Sequence, residues 1–85
     1  MPVKLLYFAW VREKIGRAEE VLDLPAGIDT VADLVAWLRL RGPEYEAAFA
    51  RPGVVRAALD KRHAQPGSAL AGAREIALFP PVTGG

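Results

Sequence analysis

An 85-residue chain with 52% hydrophobic residues, and with 11 basic against 10 acidic side chains for a formal charge of +1, reads as one small domain with no electrostatic bias toward any ligand. A domain of this length buries only about 60–65% of the surface its unfolded chain exposes, so its core has to be efficient. The absence of cysteine excludes disulfides and thiolate metal sites, and the absence of a Lys/Arg cluster argues against nucleic acid as the main partner.

The opening, Met1 to Arg12, holds an apolar run too short and too soon interrupted for a signal peptide or a membrane span, so a mature, cytoplasmic protein is expected. Val3 to Ala9 predicts a first strand with apolar residues on both sides: Val3, Leu5 and Tyr7 on one, Leu6 and Phe8 beside Lys4 on the other. Either that strand is covered on both faces or one face is kept for a partner. Trp10 to Ile15 predicts a short helix stopped by Gly16, and Glu19 to Leu24 predicts a second strand ending at Pro25-Ala26-Gly27.

Asp29-Thr30 supplies an N-cap ahead of Val31, Leu34, Val35 and Leu38, whose spacing of i, i+3, i+4 and i+7 marks the main helix, closed by Arg41-Gly42-Pro43. Trp37 lies beside that stripe, as edge packing. Leu40 lies nearly opposite it, where a short helix over Glu44 to Ala50 is expected to cover it. Val54 to Asp60 predicts the third strand, Pro/Gly breaks follow, and Glu75 to Phe79 predicts the last. The expected fold is α+β: a roll with a mixed sheet and the main helix packed across one face, leaving Leu6, Phe8 and Phe79 uncovered on the other.

No arrangement of side chains points to catalysis by the chain alone. The single serine, Ser68, lies in a Pro/Gly turn, Asp and Glu fall on polar faces where solvated charge is the default, and His63 has no companion at metal-ligand spacing and reads as a strand-edge or surface residue. No metal site is expected. The unusual feature is the ending, Pro80-Pro81-Val82-Thr83-Gly84-Gly85. Two consecutive prolines lack an N–H and stop sheet pairing, and two terminal glycines let bare backbone enter a channel too narrow for a Cβ. Residues 1–80 are thus expected to form the domain and residues 81–85 an extended tail, with Val82 to Gly85 reaching roughly 13 Å at about 3.4 Å per residue.

The opening Val3-Lys4-Leu5-Leu6-Tyr7-Phe8-Ala9-Trp10-Val11-Arg12-Glu13, and above all the ending Leu78-Phe79-Pro80-Pro81-Val82-Thr83-Gly84-Gly85, resemble the small, sulfur-carrying subunit of molybdopterin synthase. Between the two ends the similarity is one of pattern, and Asp60 stands where many relatives carry Asn. The resemblance implies a ubiquitin-like β-grasp fold. It implies that an E1-like adenylyltransferase activates Gly85 with ATP, that sulfur then converts it to a thiocarboxylate, and that the large synthase subunit uses this sulfur on cyclic pyranopterin monophosphate in molybdenum cofactor biosynthesis. It further implies a tail of Pro81, Val82, Thr83 and Gly84 inserted in the partner's active site, a partner interface including Phe8, Arg12, His63 and Phe79, a heterotetramer, and no cofactor bound by this chain itself. Three other readings stay open: a thiamine-type sulfur carrier, a ubiquitin-like protein modifier joined to lysines through Gly85, and a binding module with an inert tail.

Overall fold

Alternation along Pro2–Tyr7 makes it the first strand, β1: Val3, Leu5 and Tyr7 are buried on one side, while Lys4 and Leu6 turn to the other. The computed structural model describes residues 2–81. β1 ends two residues short of the expected Ala9. Phe8 stays extended as the N-cap of the next helix, and Ala9, at φ 53, swings the chain off the sheet. That helix, α1 (Ala9–Ile15), buries Val11 and Ile15 and ends as expected at Gly16, whose φ of 88 requires the left-handed region and whose N–H donates to the Arg12 carbonyl at 2.8 Å.

β2 (Glu19–Asp23) returns antiparallel to β1. The main helix, α2 (Val31–Arg39), buries Val31, Leu34, Val35 and Leu38 as their spacing predicts. Thr30 caps it reciprocally. The Asp33 N–H donates to Thr30 Oγ1, and the Thr30 N–H donates to Asp33 Oδ2, both at 3.1 Å. The loop before the last strand is pinned to the same helix end, where the N–H groups of Val31 and Ala32 donate to the carbonyls of Ser68 and Pro66. α3 (Pro43–Ala48) follows, packing Tyr45 and Ala48 inward. It does not cover Leu40, which is 83% exposed: α3 buries its own apolar side under α2, and Leu40 points away from the stripe that meets it.

β3 (Arg56–Leu59) starts later than expected because residues 52–54 wind into a 3-10 turn. A strand not expected from the sequence, β4 (Arg62–Ala64), pairs with it through the two-residue turn Asp60-Lys61, with φ of 47 and 72. Positive φ at both turn residues gives the twist that matches a tight hairpin, so even the polar segment 62–64 is folded back onto β3. β5 (Glu75–Phe79) lies in the centre of the sheet, whose order is β2-β1-β5-β3-β4. It is parallel to β1 and antiparallel to β3.

All three helices fall on one side of this sheet. There Leu5, Ile76 and Leu78 meet Leu34, Leu38 and Phe49, all fully buried, and each such side chain contributes about 1.5–3 kcal/mol relative to exposure. Glu20 corrects the expectation that every acidic side chain is solvated. Paired with Leu5 across the β1–β2 ladder, it points to the helix side, where its side chain is only 7% exposed. Its Oε2 accepts from the hydroxyls of Tyr7 and Tyr45, each at 2.6 Å, and its Oε1 from Arg41 and Arg17, each at 3.1 Å. One carboxylate therefore joins β1, β2, α3 and the end of α2. Burial alone would raise its pKa, but the hydrogen bonds from Tyr45, Tyr7 and Arg41 outweigh this and hold it below the ordinary carboxylate range.

Asp60 tolerates the left-handed conformation and its Oδ1 accepts from the N–H groups of Arg74 and Glu75, at 3.0 and 2.9 Å. Asn keeps both properties. Asp60→Asn should change stability by less than about 0.5 kcal/mol, and Asp60→Ala should cost about 1–3 kcal/mol in urea unfolding. Glu20→Gln should cost about 2–3 kcal/mol at neutral pH, as hydrogen bonds to a charged acceptor are lost. Because the folded carboxyl titrates below its unfolded value, its contribution is complete above about pH 4.3 and disappears as pH falls through the folded value. Urea titrations at neutral and acid pH should therefore show the unaltered protein losing more stability on acidification than the Gln variant.

Candidate functional site

The end of β5 is where the chain leaves the sheet. Pro80 and Pro81, both half-buried, offer no N–H to either neighbouring strand, so pairing stops at Phe79 although β5 is central. The ladder fixes what surrounds this exit. Phe79 is opposite Arg56 of β3, and the Phe8 N–H donates to the Leu78 carbonyl at 3.1 Å, extending the β1–β5 pairing by one residue.

Strand alternation places the side chains. Tyr7, Leu78 and Ala57 face the helices, so Phe8, Phe79 and Arg56 face the other way, as do Leu6, Ala77, Ala58 and His63 in the adjoining row. Among the described residues no helix covers this face, and Phe8 is 48% exposed upon it. The open alternative for β1 is thus decided among the described residues: one side is core and the other carries no covering layer. His63, in the edge strand β4, is exposed and meets Phe79 edge-on, with ring centroids 5.5 Å apart at 87°. Arg12 is exposed one helical turn beyond Phe8. The fold brings Phe8, His63 and Phe79 together, with Arg12 at their margin and Pro81 at the exit. Val82, Thr83, Gly84 and Gly85 lie outside the described residues.

Beside the exit runs a groove of about 620 Å³ between the start of β3 and the end of β4, lined in part by Val55, Arg56, His63, Gln65, Phe79 and Pro81. Arg56 was not singled out from the sequence. The signal was present, since inward Ala57 and Leu59 leave Arg56 and Ala58 outward by the period of two. The strongly shifted groups are elsewhere, around Glu20. The Tyr7 hydroxyl is pushed up by burial and by the Glu20 carboxylate, and with all its partners satisfied this cluster is packing, not chemistry. Among the described residues no three His, Cys, Asp or Glu side chains are grouped to hold a metal ion, and no helix is long and apolar enough to cross a membrane.

A five-stranded mixed sheet grasping one principal helix, with parallel first and last strands and a chain end leaving the centre, defines the ubiquitin-like β-grasp class. The ThiS family model matches residues 5–85, and the chain belongs to the ThiS family, whose fold and type are those of ubiquitin-like sulfur carriers and modifiers. Among solved structures it is similar to small archaeal modifier protein 1 of Haloferax volcanii, with 29% identity over 95% of this chain and 98% of that one and a TM-score of 0.73. It is also similar to a Pyrococcus furiosus protein described as molybdopterin converting factor subunit 1, with 27% identity over 96% and 99% of the two chains and a TM-score of 0.74. No curated protein sequence matches it.

Phe79 is half-buried on the free face and contributes no side chain to the core cluster. Phe79→Asp should therefore retain the fold, losing about 1–2 kcal/mol from the ring contact with His63 and from strand propensity. Far-UV circular dichroism and a cooperative urea transition should be preserved; an unfolded variant would show Phe79 to be core.

Proposed function

We propose that this chain is the sulfur-carrying subunit of molybdopterin synthase, working in the cytoplasm. The observation that carries the reading is the segment Phe79-Pro80-Pro81-Val82-Thr83-Gly84-Gly85, launched from the central strand beside an uncovered apolar face. The likeness to the Pyrococcus protein supports it.

The chemistry follows from the state of a terminal carboxyl. At neutral pH it is an anion and a poor electrophile. An E1-like enzyme joins a Gly85 carboxylate oxygen to the α-phosphorus of ATP and releases pyrophosphate. Sulfide then displaces AMP from the acyl carbon, forming the C–S bond as the C–O bond to AMP breaks, and leaves a thiocarboxylate that donates its sulfur to cyclic pyranopterin monophosphate within the large subunit, water restoring the Gly85 carboxylate. The chain itself binds no cofactor in this scheme, and ATP belongs to the activating enzyme. Both partners need access to Gly85, so each docks in turn on the face bearing Phe8, His63 and Phe79, with Arg12 at its edge.

A second reading has its own support, since the Haloferax structure with 29% identity is a small archaeal modifier. A modifier would form isopeptide adducts, whereas a carrier exchanges one oxygen for sulfur at its own terminus. Intact-mass measurement of protein from cells with the pathway active separates them.

Gly84→Ala should leave thermal unfolding unchanged but lower molybdopterin formation about 100-fold, because a Cβ in a channel shaped for bare backbone misplaces the reacting group. Deleting Gly85 should abolish formation, since the terminus then stops about 3.4 Å short. Reconstitution with the large subunit, the activating enzyme, ATP and a sulfur donor provides the assay. Normal product from the deletion would overturn the carrier reading. Phe79→Asp should weaken association with the large subunit tenfold or more, because an added charge must then be desolvated at the interface.

A further inference from the structure

The groove at the tail exit has a one-sided charge. Its lining includes Arg56 and His63 and no Asp or Glu. Three acidic groups outside the groove are engaged: Glu19 pairs with Lys4 at 2.9 Å, Glu20 is enclosed by its four donors, and Asp60 caps two backbone N–H groups. Glu75 is beside Lys4 in the ladder, at the far end of the same face. Arg56 is one of several cations without an ion pair among the described residues, and the one arginine that lines this groove. Its Nη1 donates only to the Gly53 carbonyl, at 3.1 Å, which holds the guanidinium beside the groove, and among the described residues no carboxylate lies within ion-pair distance of it. Gly53 lies in the 3-10 turn that precedes β3, so this contact fixes one terminal nitrogen of the guanidinium while its other N–H donors remain free for a ligand.

We infer that Arg56 is a specificity-determining residue of the tail-capturing interface, and that the groove beside Pro81 receives a carboxylate-bearing loop of the protein that takes the tail. The inference rests on the reading that the free face docks a protein partner, and it adds the chemistry of that partner's rim. Three features carry it. The groove is continuous with Phe79 and His63, so a protein seated on the apolar patch overhangs it. A planar guanidinium with fixed donors suits a carboxylate, which can accept two of them at once. The register opposite Phe79 also puts this charge at the root of the tail, so an ion pair formed there orients the tail as it enters the partner.

The test uses the full chain, with the large synthase subunit and the E1-like enzyme from the same genome as probes. Arg56→Glu should weaken binding to at least one probe by about tenfold or more, chiefly through slower association, and the difference should narrow at high salt. Arg56→Lys, which keeps the charge but loses the two-donor fork, should weaken binding less than Arg56→Glu, by about two- to fivefold. Thermal unfolding should be unaltered in both, since Arg56 is exposed. Equal binding of the unaltered chain and Arg56→Glu at low salt would overturn the inference and leave the partner face standing. Failure of the unaltered chain to bind either probe would overturn both. If Arg56→Glu shifts the amide resonances of Thr83, Gly84 and Gly85 in the free protein, the groove holds the chain's own tail, and the proposed occupant is wrong.

Discussion

The parallel pairing of β1 with β5 is the constraint on which the rest depends. It places the last strand in the middle of the sheet, with hydrogen bonds to β1 on one side and β3 on the other. A strand held on both edges cannot fray as a terminal edge strand can, so the exit at Pro80 has a defined position. Directly beneath it, Ile76 and Leu78 are fully buried against the helices, and moving the exit would require opening the core. The proposed carrier role would need such an anchor, because a tail's reach is useful only when its starting point is fixed.

One-sided burial is the second consequence. The chain has enough helix to cover one face of five strands and uses its three helices there, so among the described residues the opposite face keeps Leu6, Phe8, Ala77 and Phe79 without a covering layer. In a small domain this is a real cost in unburied apolar area, about 25 cal/mol for each Å² left in water. The Glu20 cluster acts against it. By joining β1, β2, α3 and the end of α2 through charge-assisted hydrogen bonds, it supplies cohesion that the small core does not, on the side away from the face left free. Charge is therefore used differently at two places: enclosed and fully paired at Glu20, exposed and available at Arg56.

Backbone geometry links the two faces. Ala9 at φ 53 turns the chain from β1 into α1 within a single residue, directly after Phe8, which strand alternation leaves on the outside beside Phe79 while Tyr7 enters the core. A non-glycine residue in the left-handed region is strained by about 1–2 kcal/mol, and such strain is concentrated where a structure must aim a side chain. The turn at Asp60-Lys61 does similar work at the other edge, folding β4 back so that His63 meets Phe79.

Local order was legible in the sequence where a strong periodicity or a stop residue spoke alone: the α2 stripe from Val31 to Leu38, the Thr30 cap, Gly16 closing α1, the alternation of β1, and the Pro-Pro exit from β5. These depend on interactions within a few residues, which a linear reading can see. It could not see β4, since Arg62-His63-Ala64 has no apolar alternation and becomes a strand only because the Asp60-Lys61 turn presents it to β3. The roles of Glu20, Leu40 and Arg56 were hidden for the same reason. Whether a carboxylate is solvated, a leucine covered or an arginine beside the exit depends on which distant segments are neighbours. Those contacts span 25 residues between Glu20 and Tyr45, and a cross-strand register between Arg56 and Phe79. The sequence by itself determined the elements, the helix's inward stripe and the character of the tail; only the tertiary structure decided which face stays bare and which charges border the exit, because both are set by strand order and register.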